Sequence, residues 1–262
     1  QCRRYVIAFN GEIYNHLSLR EQLAETGFDI SWRGHSDTET LLECFSKWGV
    51  EKTLVQTVGM FAIALWDTEQ KVLTLTRDRV GEKPLYWGWS GDTLLFGSEL
   101  KALKVHPAFK PEVDRNALTL LLRHCYIPAP YSIYRGIGKL MPGHWVSIPL
   151  GGGVELAKKA LPQPYWTINQ VVERGLNQPF SGSPEVAVDA LENRLTESIG
   201  EQMLSDVPLG AFLSGGIDSS TVVSLMQAQS SRPVKTFTIG FQEGGYNEAV
   251  HASEVAKHLG TE

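Results

Sequence analysis

The stretch from Val207 to Ser220, VPLGAFLSGGIDSS, constrains this chain more than any other. An apolar run (Leu209, Ala211, Phe212, Leu213) stops at Ser214-Gly215-Gly216. After Asp218, Ser219 and Ser220 a helical pattern opens at Thr221-Val222-Val223. That is the order of a buried strand, a glycine turn and a helix start. Two adjacent glycines reach backbone conformations closed to other residues, so several N–H groups can converge on one anion. The helix behind them adds unpaired N–H groups and the positive end of its dipole. Hydroxyls of Ser214, Ser219 and Ser220 can bind phosphate oxygens, and the Asp218 carboxylate can hold a magnesium ion against them. The loop is not of the Walker type, because no G-x-x-x-x-G-K-[ST] occurs and no lysine sits in the turn. A Gly-Gly turn with incidental serines is the plainer reading, and it leaves the ordered run of motifs without a reason.

Ahead of this stretch the pattern is different. Tyr5 to Phe9 reads as a strand ending in Asn10-Gly11-Glu12-Ile13-Tyr14-Asn15. His16 to Thr26 has helical spacing, with Leu19 and Leu23 on one face and Gly27 as a stop. Ser36 or Asp37 caps a further helix, in which Leu41, Leu42, Phe45 and Trp48 fall at core spacing and Cys44 is core filler. GMFAIALWD, KVLTLTRD, LYWGWSG and TLLFGSE then follow at close intervals, as in an antiparallel sheet. Asp114 caps a helix from Arg115 to His124, and His144 to Leu150 predicts a hairpin turning at Gly151 to Gly153. Weak periodicity with much Pro, Gly, Asn and Gln marks 161–182 as a linker between a first domain, 1–160, and a second, 183–262. The second domain opens with a helix at Ser183-Pro184, whose expected buried stripe is Val188, Leu191, Leu195 and Ile199. A second strand, Val234 to Phe241, and a last helix capped by Asn247 complete a strand–helix–strand–helix order. That order implies a parallel sheet with its ligand at the carboxyl ends of the strands.

Composition narrows the function classes. The chain has 262 residues, 42% hydrophobic and 20% charged, which reads as soluble and globular. A net charge of −5 without a basic run gives no footprint for nucleic acid. No apolar stretch approaches the ~20 residues that span a bilayer, so no membrane partner is expected. Three unevenly placed cysteines without CxxC spacing argue for a reducing, cytoplasmic compartment and against a zinc site. The seven histidines show no metal spacing, and only His35, beside Asp37, merits a test.

SGGIDSS resembles the pyrophosphate loop of ATP pyrophosphatases. Combined with NGEIYN, SDTE, GMFAIALWD, RDRVGEKPLY and FGSELKAL in that order, the whole chain resembles the glutamine-dependent asparagine synthetase family. The resemblance implies an α/β protein of two parts. The first is an N-terminal-nucleophile-type αββα glutaminase sandwich, α+β in character, and the second a parallel-sheet, Rossmann-like ATP pyrophosphatase domain. It implies that glutamine is hydrolysed in the first part and that ATP and magnesium serve the second. There aspartate is adenylated, ammonia displaces AMP to give asparagine, and pyrophosphate and glutamate are released. A carboxylate is a poor acceptor until it becomes a mixed anhydride, so phosphate binding and magnesium belong to this chemistry.

By the same likeness Asn10 and Gly11 form an oxyanion hole, and Glu12 and Asp37 bind the charged ends of glutamine. Asn10-Gly11 also reads as a simple turn and Asp37 as a helix cap. Leu213, Ser214, Gly215, Gly216, Asp218, Ser219, Ser220 and Ile239 would contact ATP, with Asp218 on magnesium. Leu213 and Ile239 read nearly as well as plain core residues of their strands. Arg77-Asp78, Glu82-Lys83, Glu99 and Lys101 match family motifs too, but read more readily as a solvated or salt-bridged sheet rim.

The pattern departs from the family at the nucleophile. Its nucleophile is a cysteine at the mature amino terminus, and Cys2 does not fit, since it precedes Asn10 on the same strand by eight residues, roughly 26 Å when extended. Gln1 opens the chain and both ends look cut, so the chain is expected to be an internal, inactive fragment, both domains truncated. Relatives that amidate sugar acids or close a β-lactam ring remain alternatives, as does a non-catalytic nucleotide-binding remnant. Dimers are common in the family, and a homodimer remains open.

Overall fold

A computed structural model of the chain describes residues 4–28, 30–205, 207–241 and 247–262. Cys2 therefore lies outside the described residues. The chain divides into two compact units, one running through Asn177 and the other from Gln178.

In the first unit β1 (Tyr5–Ile13) leads to α1 (His16–Glu25), α2 (Asp37–Trp48) and α3 (Val50–Gln56). Strands β2 (Gly59–Asp67), β3 (Val72–Arg77), β4 (Tyr86–Ser90) and β5 (Thr93–Gly97) follow. Then come α4 (Leu100–Lys104), α5 (Arg115–His124), β6 (Ile137–Lys139) and β7 (His144–Pro149). A short α6 (Val154–Ala157), β8 (Gln163–Pro164) and α7 (Ile168–Asn177) end the unit. The strands form two sheets rather than one, in the orders β1-β2-β3-β7-β8 and β5-β4-β6.

The alternation of β2 sets the layers. Phe61, Ile63 and Leu65 enter one core with Leu19, Leu23, Leu41, Cys44, Phe45 and Leu54 from the helices. Ala62 and Ala64 enter a second core with Leu75, Val146 and Ile148, against which Trp87, Trp89 and Leu94 of the other sheet pack. Because side chains alternate along a strand, a central strand with both faces covered reads as the unbroken apolar run GMFAIALWD. The far face of the second sheet meets α4 through Leu95, Ile137 and Leu103. Helix, sheet, sheet and helix therefore succeed one another. Each buried Leu or Phe contributes about 1.5–3 kcal/mol to holding them together.

One expectation needs correction here. No hairpin turns at Gly151 to Gly153: β7 pairs with β3 and β8, and Leu150–Gly152 form a 3-10 turn that runs into α6. Residues 161–182, expected as a linker, carry β8 at the sheet edge and the whole of α7, and the division between the two units falls among them, after Asn177.

In the second unit α8 (Pro184–Gln202) is capped by Ser183, whose hydroxyl accepts from Val186 N–H at 3.4 Å. Then come β9 (Gly210–Phe212), α9 (Ile217–Gln229), β10 (Lys235–Phe237) and α10 (Ala249–Leu259). β9 and β10 pair in parallel, Ala211 opposite Thr236. β10 is shorter than the expected Val234 to Phe241. The expected stripe on α8 is only partly covered: Val188 and Leu191 are 62% and 60% exposed, while Leu195 and Ile199 are half-buried. The carboxyl end of the helix, at Gly200, meets α9 at Gln229, and Ile199 and Met203 line a cavity with Val222 and Met226. No helix among the described residues is long and apolar enough to cross a membrane.

Candidate functional site

Asn10 and Gly11 do not form a turn. They lie inside β1, opposite Ala62 and Phe61, because long-range pairing overrides the local preference of Asn-Gly for turns. Among the described residues β1 is the terminal strand of its sheet, so one of its edges is open. Which groups face that edge follows from Phe61. Its N–H donates to Asp78 Oδ2 at 3.2 Å and its carbonyl accepts from Asp78 N–H at 2.9 Å, both on the β3 side. Gly11 and Phe61 are therefore a non-hydrogen-bonded pair, and the Gly11 N–H points away from the sheet. Ile13 has the same parity, and its outward N–H donates to Asp37 Oδ2 at 3.1 Å. The Gly11 N–H has no such partner among the described residues. A side chain is excluded at position 11: φ is +154°, and a Cβ would collide with the Met60 carbonyl and lie 2.7 Å from Phe61 Cα.

Alternation puts Tyr5, Ile7, Phe9 and Ile13 on the helix side of β1 and Asn10 and Glu12 on the other. Asn10 is exposed, and its Nδ2 donates to Ser98 Oγ, just past β5, at 2.8 Å. Glu12 is half-buried. Asp37 is the first residue of α2 rather than its cap; Ser36 Oγ takes that role, accepting from Thr38 N–H at 3.1 Å. Asp37 Oδ1 also accepts from Thr38 N–H, at 2.6 Å. One carboxylate thus ties the start of α2 to the open edge of β1. His35, in the preceding loop, is exposed.

In the second unit Leu213 directly follows β9, its N–H donating to Phe237 O at 2.9 Å, and its side chain is buried with Val223 and Ala252. Only its backbone is left to face a ligand. Ser214 Oγ and Ser219 Oγ are 2.8 Å apart, and Gly216 N–H donates to Ser214 Oγ at 3.3 Å, which closes the loop on itself. Gly215, at φ +77°, passes so close to α10 that a Cβ would lie 2.9 Å from His251 Cβ. α9 starts at Ile217, four residues earlier than its apolar pattern suggests, with Gly216 at the cap and no side-chain cap bond. Asp218 is thus not a cap. It sits exposed in the first turn, beside N–H groups with no intrahelical partner. Ser220 is half-buried in the same turn. Ile239, past the end of β10, is 69% exposed, so it is not a core strand residue. Among the described residues no group of three or more His, Cys, Asp or Glu side chains is placed to hold a metal. A magnesium ion at Asp218 would take its remaining ligands from phosphate and water, as Mg²⁺ commonly does.

The model of the family described as glutamine amidotransferase domain matches residues 1–166, and that described as asparagine synthase matches residues 190–262. The chain belongs to the glutamine-hydrolysing asparagine synthetase family. Asparagine synthetase [glutamine-hydrolyzing] 1 of Bacillus subtilis is 35% identical to it, over 98% of this chain and 38% of that protein. The third enzyme of that name in Bacillus subtilis is 31% identical over 91% of this chain and 37% of its own length. The mouse asparagine synthetase is 27% identical over 98% of this chain and 42% of its own. The chain thus spans less than half the length of these relatives. A glutamine phosphoribosylpyrophosphate amidotransferase of Bacillus subtilis matches 93% of this chain and 48% of its own, at 17% identity. Its TM-score of 0.44 is too low to bear on the fold.

In this asparagine synthetase family chain two supporting residues were given no role by the sequence: Arg20 stands outside the motifs, and Glu39 is the last residue of SDTE. Arg20 donates to Thr40 Oγ1 at 2.8 Å, Gly34 O at 2.9 Å and Ser36 O at 3.1 Å, and stacks on Trp32 at 4.1 Å. Glu39 accepts from the N–H groups of Arg33 and Gly34 at 2.9 and 3.1 Å. Together they hold the loop that delivers Asp37.

The motif RDRVGEK is neither solvated nor salt-bridged at its start. Asp78, 1% exposed, accepts from the N–H groups of Gly81, Glu82 and Lys83 besides that of Phe61. Arg77 donates to the carbonyls of Gly81, Lys83 and Leu140, and burial lowers its pKa. Glu82 is exposed, yet partial desolvation and the neighbouring Asp78 raise its carboxyl above the ordinary range. Burial, Glu82 and Glu12 push the Tyr14 phenol up to about 12. The Glu99–Lys101 pair, at 2.6 Å, is an exposed rim contact as expected.

Proposed function

We propose that this chain carries the glutaminase site and the nucleotide loop of an ATP-dependent asparagine synthetase. The first unit is read as an N-terminal-nucleophile-type αββα domain and the second as a Rossmann-like ATP pyrophosphatase domain. The observation that carries this reading is the outward N–H of Gly11, without a partner among the described residues, next to the exposed amide of Asn10. Two donors on an open edge, fixed before substrate arrives, suit the negative oxygen that develops when a nucleophile attacks the glutamine amide. Glu12 and Asp37 then take the α-ammonium and orient the substrate. Collapse of the tetrahedral intermediate expels ammonia, and water releases glutamate. Cys44 does not suit the attack: it is wholly buried, with its thiol pushed up to about 12.

At the second site the Ser214–Ser220 loop binds the phosphates of ATP. The aspartate side-chain carboxylate attacks the α-phosphorus, the α–β bond breaks and pyrophosphate leaves. Ammonia then attacks the acyl carbon and AMP departs with the carboxyl oxygen, giving asparagine. Magnesium held by Asp218 would neutralise charge on the phosphates.

The test is an assay of the full-length protein with aspartate, ATP, magnesium and amide-labelled glutamine. Labelled asparagine, glutamate, AMP and pyrophosphate in equal amounts are expected. AMP and pyrophosphate formed only with a sugar acid or a β-lactam precursor would move the protein to the alternative acceptor class. No turnover with any carboxylate would make it a non-catalytic remnant.

A further inference from the structure

Asn10 lies on an edge strand of one sheet and Ser98, 88 residues on, just past an edge strand of the other, yet the Asn10 Nδ2 donates to Ser98 Oγ at 2.8 Å. An amide nitrogen carries two N–H groups. Committing one of them to Ser98 fixes the plane of the amide, and so the direction of the second. Asn10 is exposed, and no other hydrogen bond of its side chain is made among the described residues. Without Ser98 the amide would rotate freely about its side-chain torsions. An oxyanion donor acts through being oriented in advance, so that freedom would cost rate directly.

Ser98 is itself held firmly. The preceding Gly97 lies against Leu103, where a Cβ would come within 2.9 Å of Leu103 Cδ1, and Leu103 is buried with Leu95 and Ile137. The following Glu99 accepts from Ala102 N–H at 3.1 Å as α4 begins. The hydroxyl therefore rides on a packed loop end rather than a loose tip.

We propose that Ser98 is a positioning residue for the glutaminase site. It aims the second N–H of Asn10 at the oxyanion and couples that site to the packing of the second sheet. This inference rests on the reading of Asn10 as an oxyanion donor. Three variants of the full-length protein, Ser98→Ala, Ser98→Thr and Asn10→Ala, test both ideas separately. Glutaminase kcat and KM, ammonia-dependent synthesis and the melting temperature are measured for each.

Ser98→Ala is expected to lower glutaminase kcat by about 5- to 20-fold, short of the roughly 10²- to 10³-fold typical of removing an oxyanion donor. KM and ammonia-dependent synthesis should stay within about twofold and the melting temperature should hold. Ser98→Thr should restore kcat, and adding Ser98→Ala to Asn10→Ala should cost nothing more. Full kcat in Ser98→Ala, with Asn10→Ala crippled, overturns the role of Ser98 and leaves that of Asn10 standing. Full kcat in Asn10→Ala removes the oxyanion reading and this inference with it. A parallel fall of both activities and of the melting temperature in Ser98→Ala makes Ser98 purely structural and also overturns the proposal.

Discussion

The edge of β1 and the Ser214–Ser220 loop are built in opposite ways. Everything at the β1 edge is held from elsewhere in its unit: Ile13 by Asp37 of α2, Asn10 by Ser98 beyond β5, and the Asp37 loop by Arg20 of α1. The Ser214–Ser220 loop is held largely by its own hydroxyls, Ser214 against Ser219. Around it β9 and β10 are three residues each, with Phe212 80% and Phe237 56% exposed, where a parallel sheet usually has both faces covered. A site assembled across layers ties chemistry to stability, because its donors are positioned by the core. A site closed within one loop can lose its chemistry and keep its fold.

Four substitutions probe that contrast in the full-length protein. The largest effect is expected from Gly11→Ala, where the added Cβ meets the Met60 carbonyl at a φ of +154°. Glutamine-dependent turnover and the melting temperature of the first unit should fall together. Retention of both would mean that β1 and β2 separate easily and that the edge is not held by the core. Asp218→Asn comes next. Loss of a metal-bound carboxylate at the phosphates removes several kcal/mol, roughly 10³-fold in ATP–pyrophosphate exchange. Glutaminase activity and melting should be unchanged. Near-normal exchange at the same magnesium dependence would take Asp218 out of the site.

Asp37→Asn is expected to weaken glutamine binding by roughly 10- to 150-fold, the worth of a charge-assisted hydrogen bond, while sparing synthesis from ammonia. Equal loss with both nitrogen donors would leave Asp37 only as the clamp on Ile13. The smallest effect belongs to Glu82→Gln. The Glu82 carboxyl has a raised pKa in the fold, so it holds a proton more tightly folded than unfolded. Its charge therefore costs stability near neutrality, and that cost is relieved as pH falls through the raised pKa towards the ordinary glutamate range. Glu82→Gln should be slightly the more stable near neutrality, and the gap should close on acidification. Solvent screening keeps the gap small, and urea midpoints across this range measure it. A gap that does not change with pH would show that Glu82 is not coupled to the 78–83 loop.

What could be read from the sequence was what local chemistry decides. The Leu19–Leu23 face, the cap by Asp114 and the Ser183-Pro184 helix start are all present as expected. Asn10-Gly11 read as a strand end because Asn-Gly favours turns, while pairing with residues some fifty positions on decides its place. Ser98 and Glu39 stood inside the motifs FGSELKAL and SDTE, but their roles, like that of Arg20, were not legible, since these lie in partners that only the fold brings close. The α8 stripe shows the converse: periodicity tells which residues share a face, and not whether anything covers it. Ile239 was expected in or near a strand core, and β10 ends before it.

Cys44 lies on α2, the helix that carries Asp37, wholly buried and with its thiol raised by burial to about 12. Only a thiolate is alkylated, so in the native state this sulfur is both hidden and protonated. Detachment of α2 from the sheet would lift both protections at once. The slow alkylation of Cys44, located by mass spectrometry and set against the exposed Cys125, is therefore a stopwatch for opening at the β1 edge. A bound glutamine that clamps Asp37 should slow that stopwatch in proportion to its own affinity.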